Sequence, residues 1–248
     1  KALKQGAGEK LDVVDVGYAD IAYLQYTGGT TGVSKGAMLS HRNMVYNVQQ
    51  TITWQGDVYD DVDQVVAITA LPLYHIFSLE GNCLTGMALG GENVLITNPR
   101  DFEGFAKEIA NFDFNLFTGV NTIFASLMNT PSFDKIDFGH LRVSIGGGMA
   151  VQPAVAKEWK QKTGQPILQG YGLTETSPVA ICCKVRSDFT GTIGLPVPST
   201  DVMIVGDDGN ALPLGEVGEI CIKGPQVMEG YWQRPKDTAD VMLPGGWL

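Results

Sequence analysis

Five short apolar runs, at 65–71, 93–97, 116–118, 141–145 and 166–169, alternate with stretches of helical periodicity. Short runs bounded by Gly, Pro or Asn read as buried strands. Within 101–112, Phe102, Phe105, Ile109 and Phe112 fall three or four apart, and Asp101 is placed to cap them. Within 153–163, Pro153 suits a first turn, Val155 and Trp159 line one face, and Gly164 supplies a stop. These aromatics are read as core, not as ligand contacts. Together the pattern predicts an α/β fold, a mostly parallel sheet with helices on both faces. A ligand of such a sheet sits in the crevice at the carboxyl ends of its strands.

Past about residue 186 the character changes. The runs 202–205 and 219–223, with the turn Asp207-Asp208-Gly209-Asn210, predict short antiparallel strands punctuated by prolines 196, 198, 213 and 225. The expected organisation is a linker over 1–20, an α/β subdomain over 21–185, and the start of a small β-rich subdomain over 186–248. With 248 residues the chain can bury a large core. A net charge of −10 provides no global field for nucleic acid, so none is expected as a partner. No apolar run approaches the roughly 20 residues of a membrane span. Cys83, Cys182, Cys183 and Cys221 lack paired-ligand spacing and read as reduced thiols of a cytoplasmic protein. His41, His75 and His140 are too scattered for a metal cluster.

Glycine-rich segments stand where ligand chemistry would need them. The stretch YTGGTTGVSKG, residues 26–36, follows an apolar run over 21–25 that reads as a further strand of the same sheet. Gly28, Gly29, Gly32 and Gly36 let backbone N–H groups approach a ligand, Thr27, Thr30 and Thr31 add hydroxyl donors, and Lys35 adds a cation. A polyphosphate fits that set. The common P-loop does not, because it needs Ser or Thr directly after its lysine and here Gly36 follows. Any magnesium ligand must come from elsewhere. Taken alone, the stretch also reads as a surface turn that contains a lysine.

QGYGLTE, residues 169–175, sets Tyr171 between Gly170 and Gly172 and presents Thr174 with Glu175. Glu175 beside a polyphosphate makes sense with Mg²⁺ between them. The plain alternative is a strand-to-helix turn capped by Thr174. GGGM, residues 146–149, leaves backbone free to meet a planar group, or serves close packing. LPLYHIF, residues 71–77, carries His75, which in isolation reads as a core histidine.

In this order, YTGGTTGVSKGAMLSHRN, LPLYHIF, GGGM, QGYGLTE and GEICIKGPQVMEGYW resemble the adenylate-forming superfamily of acyl-CoA synthetases across nearly the whole chain. The resemblance is strongest to bacterial long-chain fatty acid–CoA ligases, through ITNPRD, GLPVPST and GPQVMEGYWQRP. It implies activation of a fatty acid by ATP to an acyl-adenylate with release of pyrophosphate, then transfer to CoA. Alignment and charge neutralisation are its main needs. By resemblance, Thr27 to Gly36 wrap the β- and γ-phosphates with Lys35 as counter-charge, Thr174 holds the α-phosphate region, and Glu175 binds Mg²⁺. Tyr171 stacks on adenine, while Gly147, Gly148, Met149, Gln169, Gly170 and Gly172 frame it. His75 sits by the substrate carboxylate, and Phe77, Val120 and Gly146 border the acyl tunnel.

The resemblance also implies missing parts. The family's ribose-binding aspartate follows Gly-Trp-Leu, where this chain ends, and its lid domain lies further on. The chain therefore reads as a central piece, expected to be inactive alone. Two alternatives stay open: a ligase for an aryl, medium-chain or peptide-synthetase substrate, and a non-catalytic nucleotide- or acyl-binding module. Location is expected in the cytoplasm, with peripheral contact of the full enzyme at the inner membrane left open, as is its oligomeric state.

Overall fold

A computed structural model describes residues 2–10, 12–27 and 33–248. The chain runs through α1 (Ala2–Gln5), β1 (Ile21–Tyr26), β2 (Gly36–Ser40), α2 (His41–Gln55), β3 (Val66–Thr69) and α3 (Ile76–Ser78). A π-helix (Leu79–Leu84) leads into α4 (Thr85–Ala88), β4 (Glu92–Leu95), α5 (Phe102–Ile109), β5 (Leu116–Gly119) and α6 (Asn121–Met128). Then come β6 (Val143–Gly146), α7 (Pro153–Thr163), β7 (Ile167–Gly172), β8 (Val179–Cys182) and β9 (Leu195–Pro196). The last elements are β10 (Asp201–Val205), β11 (Glu219–Lys223) and α8 (Pro235–Val241).

The central sheet has seven strands in the order β4-β3-β5-β6-β7-β8-β9. Its first five are parallel, as the alternating runs predict, and β8 and β9 join antiparallel. Successive side chains of a strand point to opposite faces. Ile68, Phe117 and Ile167 therefore pack with Phe105, Ile109, Phe124 and Trp159 of α5, α6 and α7. Their neighbours Ala67, Leu116 and Leu168 pack on the other face with Val58, Tyr59 and Cys183. Helices cover both faces. Asp101 caps α5 by accepting from Gly104 N at 3.0 Å, and Gly164 ends α7 at φ +77°.

One expectation needs correction. The run 21–25 forms β1, but β1 is not part of the parallel sheet. It pairs antiparallel with β2 in a separate hairpin, from Ile21 opposite Ser40 to Tyr26 opposite Gly36. An apolar run alone does not tell which sheet a strand will join. The antiparallel pair at the other end, Asp201 opposite Lys223 through Val205 opposite Glu219, matches the sequence reading.

The longest helix, α2, is absent from that reading, and its packing explains why. Its buried positions include Asn43, Asn47, Gln50, Thr51 and Gln55. Asn43 donates to the carbonyls of Pro225 and Val227 at 2.9 and 2.8 Å, and Asn47 to that of Val179 at 2.7 Å. Gln50 donates to Pro198 O at 2.6 Å. A buried face of amides tied to backbone carbonyls gives no apolar period. Its start is nonetheless encoded: Ser40 Oγ accepts from Asn43 N at 3.3 Å while Asn43 Oδ1 accepts from Ser40 N at 2.8 Å, a reciprocal cap.

Candidate active site

The β1–β2 hairpin closes at its base through Thr27. Thr27 N donates to Lys35 O at 2.9 Å, Lys35 N to Thr27 Oγ1 at 3.3 Å, and Ser34 Oγ to Thr27 O at 2.6 Å. Gly28, Gly29, Thr30, Thr31 and Gly32, expected to wrap phosphates, lie outside the described residues. Lys35 Nζ lies 2.6 Å from Asp237 Oδ1 of α8 and 5.0 Å from the centroid of the Tyr231 ring. Lys35 in turn holds the Asp237 carboxyl below the usual carboxylate range.

Beyond β7 the chain turns so tightly that Gly172 has no substitute. A Cβ there would lie 1.9 Å from the carbonyl oxygen of Pro178. The following turn is closed by Leu173 N donating to Thr176 Oγ1 at 2.8 Å and Thr176 N to Leu173 O at 3.1 Å. Thr174 is thus not the cap, and it lines the cleft beside Glu175.

Residues 228–232 clasp the hairpin and this turn together. Met38 N donates to Gly230 O, Glu229 N to Met38 O and Trp232 N to Gly36 O, at 2.8 to 3.0 Å. Met228 N donates to Glu175 O at 2.8 Å, and Tyr231 Oη donates to Glu175 Oε1. Burial, and then the Glu175 carboxylate, push the Tyr231 phenol above its ordinary range. Tyr231 had no assigned role in the sequence, although it lies within a motif that carried the resemblance. We expect Tyr231→Phe, which leaves Glu175 short of a charged hydrogen bond, to cost about 1.5 kcal/mol in urea unfolding.

His75 precedes α3, and its Nδ1 accepts from Phe77 N at 3.2 Å. That bond assigns the proton of the neutral ring to Nε2, an N–H donor. Burial lowers the His75 pKa, which favours this neutral form.

A cleft of about 560 Å³ opens between these elements, within the range of small-molecule sites. Of the residues singled out in the sequence, Thr27, Lys35, His75, Phe77, Gly147, Gly148, Gly170, Tyr171, Gly172, Thr174 and Glu175 line it. It also takes in Val33, Ile145, Leu173 and Tyr231, which sequence reasoning did not mark. Tyr171 is partly buried, which raises its pKa.

Gly36, Val120, Gly146, Met149 and Gln169 are not among the lining residues. Gly36 lies against the Tyr26 ring in the hairpin. Gly146 packs on the core, where a Cβ would meet Val151 Cγ2 at 2.5 Å. Val120 packs against the main hydrophobic core, and Met149 is exposed. The buried Gln169 amide is committed, accepting from Val151 N and donating to Thr192 O, each at 2.9 Å. Among the described residues no cluster of three or more His, Cys, Asp or Glu could hold a metal. One carboxylate, Glu175, suits a divalent cation shared with the phosphates of a ligand.

The family described as AMP-binding enzyme matches residues 2–232. The chain belongs to the AMP-binding enzyme family. It is 54% identical to a long-chain-fatty-acid–CoA ligase of Escherichia coli O6:H1 over 92% of this chain and 41% of that protein. It is 51% identical to a protein of the same name from Salmonella typhimurium, over 100% of this chain and 44% of the other. The chain thus spans about two-fifths of the length of these AMP-binding relatives. Among solved structures, ATP-bound MatB from Rhodopseudomonas palustris superposes with a TM-score of 0.87 at 29% identity, over 99% of this chain and 48% of that one.

Proposed function

We propose that this chain contributes the nucleotide and acyl site of a long-chain fatty acid–CoA ligase, which activates its acid with ATP before transfer to CoA. The observation that carries the reading is the convergence of Lys35, His75, Thr174 and Glu175 on one cleft. The identity of 51–54% to proteins of that name supports the same substrate class.

The roles follow from the chemistry of each group. Tyr171 offers an aromatic face for adenine, and the backbone at Gly147, Gly148 and Gly170 offers edges for the base. Lys35 and the Thr174 hydroxyl suit phosphate oxygens, and His75 Nε2–H suits the carboxylate of the acid. Mg²⁺, held by Glu175, would neutralise phosphate charge as the acid approaches the α-phosphorus. A location in the cytoplasm, with the full enzyme able to touch the inner membrane, belongs to the same proposal and is tested by cell fractionation.

The direct test is pyrophosphate release by the full-length enzyme over acids of graded chain length. Preference for long chains is expected. Equal or better use of aryl or short acids would overturn the substrate class. ATP binding without pyrophosphate release from any acid would favour a module that binds without chemistry.

Lys35→Ala is expected to slow that release about a hundredfold, the scale of losing one stabilising donor. The fold should persist, because the ion pair with Asp237 is about one-third exposed and such pairs contribute roughly 0–1 kcal/mol. An unchanged rate would remove Lys35 from the phosphate role.

A further inference from the structure

Two groups of the chain itself fix the end of the Lys35 side chain. Its Nζ lies 2.6 Å from Asp237 Oδ1 and 5.0 Å from the centroid of the Tyr231 ring. Lys35 and Tyr231 line the cleft, and Asp237 does not. The carboxylate therefore holds the ammonium from outside the cleft. An ammonium has three N–H donors, so the pair with Asp237 leaves two for phosphate oxygens.

The backbone sets this arrangement independently of the ion pair. Trp232 N donates to Gly36 O at 2.8 Å, which anchors the clasp beside Lys35. The chain then turns back on itself. Tyr231 N donates to Thr238 Oγ1, and Thr238 Oγ1 donates to Arg234 O, each at 2.9 Å. Gly230, at φ +135°, leaves room for the turn, because a Cβ there would lie 2.8 Å from Thr238 Cγ2. Asp237 precedes Thr238, so this turn delivers the carboxylate and the Tyr231 ring to Lys35 together. Asp237 also lies beyond residue 232, where the family match ends, and no sequence motif marked it.

We propose that Asp237 is a positioning residue, which keeps Lys35 aimed at the phosphates of the nucleotide while the Tyr231 ring supports it. A lysine is a point charge on a flexible stem, and ordering such a side chain on binding weakens affinity. A cation already held in place is most effective where negative charge develops, here on the departing pyrophosphate. Stability does not explain the placement, because a half-exposed pair adds little. A carboxylate this near a phosphate site opposes anion binding unless it acts through the cation beside it. The proposal rests on the ligase reading and adds to it a residue that touches no substrate.

The test is pyrophosphate release by the full-length enzyme with a long-chain acid, in a double-mutant cycle. Asp237→Ala is expected to slow release about tenfold, less than the roughly hundredfold of losing the Lys35 donor itself. In the Lys35→Ala background the same substitution should change the rate less than about twofold, since coupled residues are not additive. Asp237→Asn, which keeps the shape and loses the charge, serves the same cycle if the alanine variant folds poorly. An equal loss in both backgrounds would overturn the inference and leave Asp237 a structural support of α8. An unchanged rate in Asp237→Ala would overturn it as well. So would tighter Mg-ATP binding by that variant in calorimetry, which would mark a carboxylate competing with phosphate. In each of these outcomes the ligase reading stands. No release by the wild-type enzyme with any acid would overturn that reading, and this inference with it.

Discussion

Replacing Glu175 with alanine in the full-length enzyme is expected to slow pyrophosphate release about a thousandfold, on the order of 4 kcal/mol in the barrier. The size follows from the charge the site must manage. Metal ions at transferring phosphoryl groups supply several kcal/mol of stabilisation, and Glu175 is the one carboxylate among the described lining residues of the cleft. Stability should fall by about the same 1.5 kcal/mol as in Tyr231→Phe and no more, because the substitution keeps the carbonyl that accepts from Met228 N. The side chain loses one bond, the one from Tyr231 Oη. Glu175→Gln separates the two contributions, since an amide oxygen can still accept from Tyr231 but carries no charge. Rates measured across a magnesium titration should show both variants impaired, and no added metal should restore the wild-type maximum. A wild-type rate in Glu175→Gln would mean that charge at this position is unimportant.

The largest loss of stability is expected from Trp159→Ala. Trp159 is wholly buried, and its ring lies 5.3 Å from Phe117, 4.9 Å from Phe124 and 5.6 Å from Phe138. Truncating so large a core side chain costs about 3–5 kcal/mol. Its Nε1 also donates to the buried Ser144 Oγ at 3.1 Å, which the alanine variant leaves unpaired. Ser144 lies on β6, whose end carries Gly147 and Gly148 into the cleft, so nucleotide affinity should fall together with stability. The thermal midpoint should drop on the order of 10 °C. Trp159→Phe, which refills most of the volume, should recover over half of that loss.

What could be read from the sequence follows the physics of each segment. Strands β3, β5 and β6 and the start of β7 are buried on both faces and therefore stand out as apolar runs, while the edge strand β4 exposes Glu92 and Leu95. Helices α5 and α7 carry both an apolar period and local stop signals, and both lie where expected. The hairpin was misplaced because β1 has the composition of a sheet strand while its partner β2 lies just past the glycine-rich stretch. Helix α2 was hidden by its amide-lined face. In the cleft, Thr174, Glu175 and Tyr171 were legible because glycines mark their turn. Tyr231 was not, since its contact with Glu175 depends on how the β-rich segment returns to β2. Asp237 looked like an ordinary charged residue, and only the turn after Tyr231 reveals its contact with Lys35.

The clasp at 228–232 also sets an order of events. Its contacts with β2 join groups as far apart as 189 positions in the chain, as in the bond from Ser40 Oγ to Glu229 Oε1 at 3.2 Å. Pairings so distant in sequence form slowly, because a long loop must close first. During synthesis, the parallel strands can assemble while the hairpin still lacks the backbone partners that fix it. Residues are added at about 5–20 per second, so the hairpin waits seconds for its clasp. The β1–β2 hairpin and the Glu175 turn therefore reach their final positions together, and late, after the hydrophobic layers beneath them have formed.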